Sequence, residues 1–293
     1  MGQLAMFDEP CPAEIVNVAS VPKRSPFRYP GGKTWLIPLI RRWLRSLDSK
    51  PRILVEPFLG GGIVSLTAAF ERLADTMIMV EIDDDVAAVW ETITGPNNEG
   101  LAKRILQFDL TPENAESELN REPVDRADQA FQTLLRNRIS HGGILARGSG
   151  LIKNGENGRG IKSRWYPRTL SQRIRDICAI ADTLNFVQAD GMEVIVQHQH
   201  EPDVPLFVDP PYTAAGKRAG KRLYNHNELD HPALFREMAL VKGDFLITYD
   251  YADAIIDLAK DRGFDFVPIA MKNTHHARMT ELLIGRDLSW ART

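Results

Sequence analysis

Residues 207–212, Phe-Val-Asp-Pro-Pro-Tyr, place an acid and an aromatic ring on either side of two prolines. Proline fixes its own backbone angle and lacks an N–H group, so Pro210 and Pro211 end the apolar strand before them and make the turn rigid. The Asp209 carboxylate and the first proline's carbonyl can then accept both hydrogens of one planar amino group. The Tyr212 ring can stack on the flat ring that carries that group. The alternative is a rigid turn that only caps a strand.

A second stretch that could bind a ligand is Glu56–Gly62, EPFLGGG, between a predicted strand and a predicted helix. Glycines at such a place let the backbone turn tightly and approach a ligand closely. The next predicted strand ends at Glu81-Ile82, where an acid in folds of this kind holds a ribose hydroxyl. The glycine spacing matches neither GxGxxG nor the lysine-containing phosphate loop. The two stretches indicate a nucleoside ligand or, alternatively, a structural turn with an acidic helix cap.

A third stretch, FRYPGGK at 27–33, precedes a helix predicted from Thr34. Gly31 and Gly32 can form a turn that permits close approach, and Lys33 could meet an anion such as a carboxylate. From these residues alone, an ordinary turn and helix cap is the favoured interpretation.

The elements predicted around these residues alternate between strand and helix. Residues 52–93 follow the pattern strand, Gly loop, helix, strand, helix, which is typical of a parallel sheet with crossover helices. Residues 99–140 are predicted to be mostly helical, and 141–163 to form a Gly-rich polar loop or hairpin. The later predicted elements are a helix at 171–184 and strands at 186–189, 206–208, 245–248, 266–270 and 281–284. We therefore expect one sheet interrupted by an insertion at about 96–170.

The charge of the chain is unevenly distributed. Residues 121–175 hold 12 Lys and Arg against 4 Asp and Glu, although the net charge of the whole chain is −3. A second basic cluster, Lys217–Arg222, follows the Asp-Pro-Pro-Tyr turn. An acidic body with a basic middle segment indicates an anion-binding surface. The alternative is a solvated, charged loop region.

Composition argues against membrane, secreted and metal-binding classes of protein. No apolar run approaches the roughly 20 residues that span a bilayer, and the N-terminal tail has no apolar signal core. Cys11 and Cys178, the only cysteines, allow at most one disulfide and no metal framework. The histidines show no zinc spacing; His275 and His276 are adjacent. We expect a cytoplasmic protein that uses no metal.

Taken in order, these motifs resemble those of the Dam-like family of DNA adenine N6-methyltransferases. The matching stretches are FRYPGGK at 27–33, EPFLGGG at 56–62, VEIDDD at 80–85, ADG at 189–191, DPPY at 209–212, NELDHPALFREM at 227–238, FLITYDY at 245–251 and TELLI at 280–284. Any one motif is a weak signal, whereas the ordered set extends over about residues 25–285 and is a strong one. The family implies an α/β, Rossmann-like S-adenosylmethionine-dependent methyltransferase sheet with an inserted, mainly helical target-recognition domain that contains a Gly/Arg-rich loop or hairpin.

The resemblance also implies a domain division and roles for individual residues. The expected domains are an N-terminal tail at 1–24, a catalytic domain at 25–95 and 171–293, and a DNA-binding insertion at 96–170. The catalytic residues would be Asp209, Pro210, Pro211 and Tyr212. Contacts to S-adenosylmethionine, which becomes S-adenosylhomocysteine, are expected from Tyr29, Gly31, Lys33, Glu56, Pro57, Phe58, Gly60, Glu81, Ile82, Asp190 and Asp209. Glu81 would hold the ribose hydroxyls, where family members more often have Asp, and Asp190 would accept a hydrogen bond from the cofactor's adenine amine.

The basic segments are expected to contact double-stranded DNA, mostly through phosphates and at a few positions through base edges. The candidate residues are Asn137, Arg138, Ser140, Arg147, Lys153, Arg159, Lys162, Arg164, Lys217, Arg218, Lys221 and Arg222. For Lys217–Arg222 a surface loop without a DNA contact is an equal alternative. We expect a bacterial or phage-encoded monomer, with a cognate restriction endonuclease as a candidate partner.

Two other activities compete with adenine methylation. Cytosine N4-methylation uses the same kind of amine and a related acid-Pro-Pro-aromatic turn. A catalytically silent, S-adenosylmethionine-binding DNA regulator is the alternative outside enzymes, although the intact Asp209 and Tyr212 argue against it.

Overall fold

The computed structural model describes residues 21–28, 32–145, 152, 155, 158–211, 229–272 and 278–292. Within these residues one sheet has the strand order β3-β2-β1-β4-β5-β7-β6. Its strands are β1 (Ile53–Glu56), β2 (Thr76–Glu81), β3 (Leu184–Gln188), β4 (Leu206–Val208), β5 (Phe245–Asp250), β6 (Asp265–Lys272) and β7 (Arg278–Gly285). Strand β7 is antiparallel to both of its neighbours, and every other pair is parallel. The predicted α/β fold with a Rossmann-like sheet is confirmed.

Ten α-helices accompany the sheet in the described part of the chain. They are α1 (Ile37–Ser46), α2 (Ile63–Phe70), α3 (Asp84–Thr94), α4 (Asn98–Gln107), α5 (Pro112–Asn120), α6 (Arg126–Ile139), α7 (Pro167–Cys178), α8 (Gly191–His198), α9 (His231–Leu240) and α10 (Asp253–Asp261). Short 3₁₀ segments include Lys33–Leu36 before α1 and Gly160–Arg164 before α7. Helices α8, α9 and α10 were not predicted from the sequence pattern. Helix α8 spans only eight residues, too short for a clear helical period.

The core lies on both faces of the sheet because successive side chains of a strand point to opposite sides. In β1, Leu54 belongs to the core that contains α1, α2 and α3, whereas Val55 belongs to the core that contains α8, α9 and α10. Both side chains are fully buried. Strands covered on both faces must be apolar at nearly every position, which explains the continuous apolar runs in the sequence.

The parallel strands bring their carboxyl ends to one edge of the sheet. Strand β1 lies between β2 and β4, so the connections from β1 and β4 lead to opposite sides of a crevice, where open α/β sheets bind ligands. Glu56 ends β1, Glu81 ends β2, and Asp209 directly follows β4. Three acids that are far apart in sequence therefore lie at the same edge.

The helices of the predicted insertion pack against helices α1, α2 and α3. The core around α1, α2 and α3 continues through Ile105 and Phe131 to Leu170. On the surface, Arg126 at the start of α6 donates hydrogen bonds to Asp84, Glu91 and Gln188. The apolar core therefore shows no break at residue 96.

We expect Gly62→Ala to destabilise the protein more than Gly263→Ala. Both glycines have similar left-handed backbone angles, φ 61° at Gly62 and φ 68° at Gly263. A Cβ at Gly62 would lie 2.7 Å from the Trp90 ring, whereas a Cβ at Gly263 meets nothing within 4 Å. The left-handed backbone costs both variants about 1 kcal/mol, and overpacking adds a further 1–3 kcal/mol or so at Gly62 only. Urea unfolding of the two variants checks this difference, and equal midpoints would contradict it.

Candidate active site

Asp209 follows the last residue of β4, and its carboxylate is held from two directions. The Oδ1 atom lies 3.0 Å from the Lys33 Nζ atom and accepts a 2.7 Å hydrogen bond from the Thr248 hydroxyl on β5. The Asp209 side chain keeps 22% of its surface exposed. The sheet edge therefore presents an oriented, partly accessible carboxylate, followed at once by buried Pro210 and half-buried Pro211.

Lys33 is buried, with 3% of its side chain exposed, and its ammonium also lies 3.6 Å from the Glu281 Oε2 atom on β7. Burial by itself works against the charge, but Asp209, Glu281 and Asp250 hold the pKa of Lys33 above its ordinary value. The sequence-based expectation gave Lys33 a contact to the cofactor. In the structure its ammonium faces the two carboxylates, and its contact to the cofactor stays a prediction.

The Gly loop between β1 and α2 is held in a tight conformation by buried side chains. Gly60 and Gly62 have φ angles of 47° and 61°, and the Trp90 indole donates a 3.0 Å hydrogen bond to the Gly60 carbonyl. Glu56 accepts hydrogen bonds from the Ser65 backbone N–H, at 2.8 Å, and from the Ser65 hydroxyl. Burial raises the pKa of Glu56 to about 8, and its hydrogen bonds join the end of β1 to the first turn of α2, directly after the loop.

Glu81 ties the Gly loop to the end of β2. Its Oε2 atom accepts a 2.9 Å hydrogen bond from the Gly60 N–H, and its Oε1 atom accepts from the Ile82 and Asp83 N–H groups, both at 2.9 Å. Burial raises its pKa to about 7. A carboxylate has about four lone-pair sites, so three backbone contacts leave acceptor capacity for a further donor such as a ribose hydroxyl.

Around this loop the structure offers a surface that fits a nucleoside. Ile82 is 43% exposed beside the loop, and Phe58 is half-buried within it. Asp190 is exposed and caps α8, accepting a 2.8 Å hydrogen bond from the Met192 N–H. A Cβ at Gly191 would lie 2.3 Å from the Pro57 carbonyl oxygen, so only glycine lets α8 approach the loop this closely. Two apolar side chains and two acids thus lie on the segments that end or follow β1, β2 and β3.

Several predicted site residues lie outside the described part of the chain. For the cofactor and the catalytic turn these are Tyr29, Gly31 and Tyr212; for the DNA contacts they are Arg147, Lys153, Lys217, Arg218, Lys221 and Arg222. Their predicted roles remain predictions.

The predicted DNA contacts of Asn137, Arg138 and Ser140 do not agree with the structure, because all three side chains are buried. The Asn137 amide accepts from the Arg28 N–H at 2.8 Å and donates to the Arg28 and Gly143 carbonyls at 2.9 and 2.7 Å. The Arg138 guanidinium donates to the Pro26 carbonyl. These side chains fasten the segment before the FRYPGGK glycines to α6, a role that the sequence pattern did not indicate.

The other described candidates for DNA contact are accessible. Arg159 and Lys162 are exposed, and Arg164 is half-buried. The Arg159 guanidinium lies 5.7 Å from the centre of the Tyr166 ring, which is 42% exposed. We call these four residues the basic–aromatic surface. The sequence analysis missed Tyr166, although an aromatic residue among basic residues is a recognisable signal for contact with nucleic acid.

Two other residues of the site were missed. Thr248 lies within the predicted strand FLITYDY and Glu281 within TELLI, and neither position shows locally that its side chain faces Lys33 or Asp209.

No helix in the described residues combines the length and the apolar character needed to cross a membrane. The same residues contain no group of three or more His, Cys, Asp or Glu side chains that could hold a metal ion.

Comparison with known proteins gives a family match that covers most of the chain. The family model described as D12 class N6 adenine-specific DNA methyltransferase matches residues 29–244. A curated relative, the DNA N-6-adenine-methyltransferase of Escherichia phage P1, is 24% identical over 265 residues. That alignment covers 87% of this chain and 33% of the relative. The chain therefore spans about a third of the length of that relative.

Two solved structures show a looser likeness. An rRNA methyltransferase from Streptomyces viridochromogenes is 13% identical, with a TM-score of 0.40 and coverage of 92% of this chain and 93% of that one. The precorrin-6y C5,15-methyltransferase of Geobacter metallireducens is 9% identical, with a TM-score of 0.35 and coverage of 86% of each chain. Both TM-scores are below 0.5.

We expect Asn137→Ala to lower stability without changing the salt dependence of DNA binding. The substitution removes a buried amide and leaves the Arg28 backbone groups unpaired, at a cost on the order of 3 kcal/mol. Thermal unfolding and the slope of log affinity against log salt concentration are the two measurements. The exposed Asn120, at the end of α5, provides the matched control Asn120→Ala. An unchanged melting temperature together with weakened DNA binding would restore the predicted DNA contact.

Proposed function

Because the chain belongs to the D12 class of N6 adenine-specific DNA methyltransferases, we propose that it moves a methyl group from S-adenosylmethionine to the N6 amine of an adenine in duplex DNA. The observation that carries this proposal is the position of Asp209. Its partly exposed carboxylate is fixed by Lys33 and Thr248 at the edge of the sheet that also carries the Gly loop. An acceptor for an amine and a nucleoside-shaped surface thus occur side by side.

The Gly loop and the ends of β1 and β2 are the proposed binding site for S-adenosylmethionine. When bound, this cofactor supplies an electrophilic methyl group on a sulfonium. Glu81 is proposed to accept from the ribose hydroxyls with its remaining lone pairs, and Asp190 from the adenine amine. Phe58 and Ile82 would cover the faces of the adenine ring. Tyr29 and Gly31 are proposed to contact the same molecule, in line with the FRYPGGK resemblance.

Asp209 and Pro210 are proposed to activate and aim the target amine. The lone pair of this nitrogen is delocalised into the adenine ring, so the amine is a weak nucleophile. Hydrogen bonds from the amine to the Asp209 carboxylate and the Pro210 carbonyl favour positive charge on the nitrogen as it attacks. They also hold the nitrogen in line with the methyl group, which is a proximity effect. Tyr212 is proposed to stack on the adenine ring.

An adenine amine inside a duplex cannot reach a carboxylate at the bottom of a crevice, so the base must be flipped out of the stack. We propose that residues 96–170 form the target-recognition segment that holds the duplex during this step. The accessible charges of the basic–aromatic surface support this assignment. Its cations suit phosphates, and the Tyr166 ring can stack on a base.

The first experiment measures transfer of labelled methyl from S-adenosylmethionine to mixed-sequence duplex DNA, with identification of the product nucleoside. We expect N6-methyladenine from the wild type and a loss of at least about a hundredfold in Asp209→Ala. Binding of DNA and cofactor by the variant should remain. N4-methylcytosine as the product would agree with the proposed cofactor but show that the target base is cytosine. Cofactor and DNA binding without any transfer by the wild type would favour the silent regulator.

The basic–aromatic surface predicts a change in salt dependence. Log DNA affinity falls with log salt concentration by about 0.9 per phosphate contact. The double variant Arg159→Gln/Lys162→Gln should therefore have a slope that is shallower by up to about 1.8. The control variant Arg45→Gln/Arg52→Gln removes two exposed arginines, one at the end of α1 and one directly before β1. Equal slopes for the two double variants would argue against this surface as the DNA contact.

A further inference from the structure

A cluster of charges lies beneath the exposed part of Asp209 and extends beyond the residues with proposed catalytic roles. Its centre is the Lys33 ammonium, 3.0 Å from Asp209 and 3.6 Å from Glu281. Glu281 lies on the antiparallel strand β7, where it pairs with Asp250 on β5 and with Ile269 on β6. Only 4% of Glu281 is exposed. Four separate segments of the chain are needed to assemble this cluster.

Several carboxylates surround Lys33 among the described residues. Its ammonium faces those of Asp209 and Glu281. The charge of Asp250 also acts on Glu281, whereas the β6 neighbour of Glu281 is the apolar Ile269. Solvent screens charges weakly in such a buried site. Burial of a carboxylate such as Glu281 costs stability, so its presence calls for a role.

The proposed methyl transfer supplies such a role. As the amine attacks, positive charge develops on the nitrogen that is hydrogen-bonded to Asp209. Lys33 already holds a positive charge 3.0 Å from the same carboxylate, and this charge repels the positive charge that develops on the amine. The negative charge of Glu281, 3.6 Å from the Lys33 ammonium, reduces that repulsion without a contact to the substrate.

We propose that Glu281 is a positioning residue that offsets the charge of Lys33 and so leaves the Asp209 carboxylate free to stabilise the cationic amine. This inference rests on the proposed function and adds to it a residue that does not contact the substrate. Glu281 must be ionised to act. Burial raises its pKa to about 7, while Lys33 works in the opposite direction. Its contribution should therefore be small below pH 7 and grow as the pH rises through that value.

A purely structural role for Glu281 makes a different prediction about stability. If the carboxylate served only to hold Lys33 in place, Glu281→Gln would lower the melting temperature. A carboxyl group whose pKa is raised in the folded state instead loses stabilising free energy as the pH rises through the folded pKa. Above pH 7, Glu281→Gln removes that loss, so the variant should melt no lower than the wild type.

The test compares Glu281→Gln with Asp253→Asn, which removes an exposed acid at the start of α10. At pH 8 we expect kcat of Glu281→Gln to fall by about tenfold or more, with KM for DNA within about twofold of the wild-type value. The wild-type kcat should rise through about pH 7, as an ionisation required for catalysis dictates. This rise should be absent in Glu281→Gln and present in Asp253→Asn.

A second measurement does not depend on turnover. Sinefungin carries an ammonium group where S-adenosylmethionine carries its sulfonium methyl, whereas S-adenosylhomocysteine has no charge there. Calorimetric titration should show that Glu281→Gln loses affinity for sinefungin and keeps its affinity for S-adenosylhomocysteine. Wild-type kcat and pH dependence in Glu281→Gln, or equal loss of both ligands together with a lower melting temperature, would overturn the inference. If the wild type itself transferred no methyl group, the proposed function would fail, and the two analogues would still decide the role of Glu281.

Discussion

The contact between the Lys33 ammonium and the Asp209 carboxylate connects the main parts of this molecule. Lys33 is almost fully buried, and a buried ammonium is stable only beside negative charge. The carboxylate of Asp209, directly after β4, meets this need. The contact therefore fixes the segment before α1 against the middle of the sheet, and it orients the acid at which we expect the chemistry to occur.

Asn137 on α6 fixes the backbone of Arg28, which precedes that segment in the sequence. Two hydrogen bonds join the Asn137 amide to the backbone of Arg28, and a third joins it to Gly143. A Cβ at Gly143 would lie 2.2 Å from the Arg28 carbonyl oxygen, so the contact requires glycine. Arg28 is thus held against α6 and Gly143.

Buried carboxyl groups support this edge at three strand positions. Burial raises the pKa of Glu56 to about 8 and those of Glu81 and Glu281 to about 7. Each group is less stable as an anion in the folded protein than in water, so stability falls as the pH rises from the ordinary carboxyl pKa of 4.5 to these values. Glu81 holds the Gly60 N–H of the Gly loop, and Glu56 holds the start of α2 directly after it. The edge of the sheet that carries Asp209 therefore has polar groups beneath its surface as well as on it. These buried groups lower the stability relative to an apolar core.

The sequence by itself determined the alternation of strands and helices, the end of β4 before Pro210-Pro211 and the Gly loop, because these depend on local backbone restrictions and apolar periods. It also determined the family, because several weak motifs occur in a fixed order. Only the tertiary structure decided which polar side chains face one another. Asn137 and Arg138 looked like surface groups because their neighbours in sequence are basic, yet packing against the segment before Lys33 buries them. Thr248 and Glu281 looked like ordinary strand residues. Their contacts with Asp209 and Lys33 arise from pairing between strands that are distant in sequence, which no local pattern records.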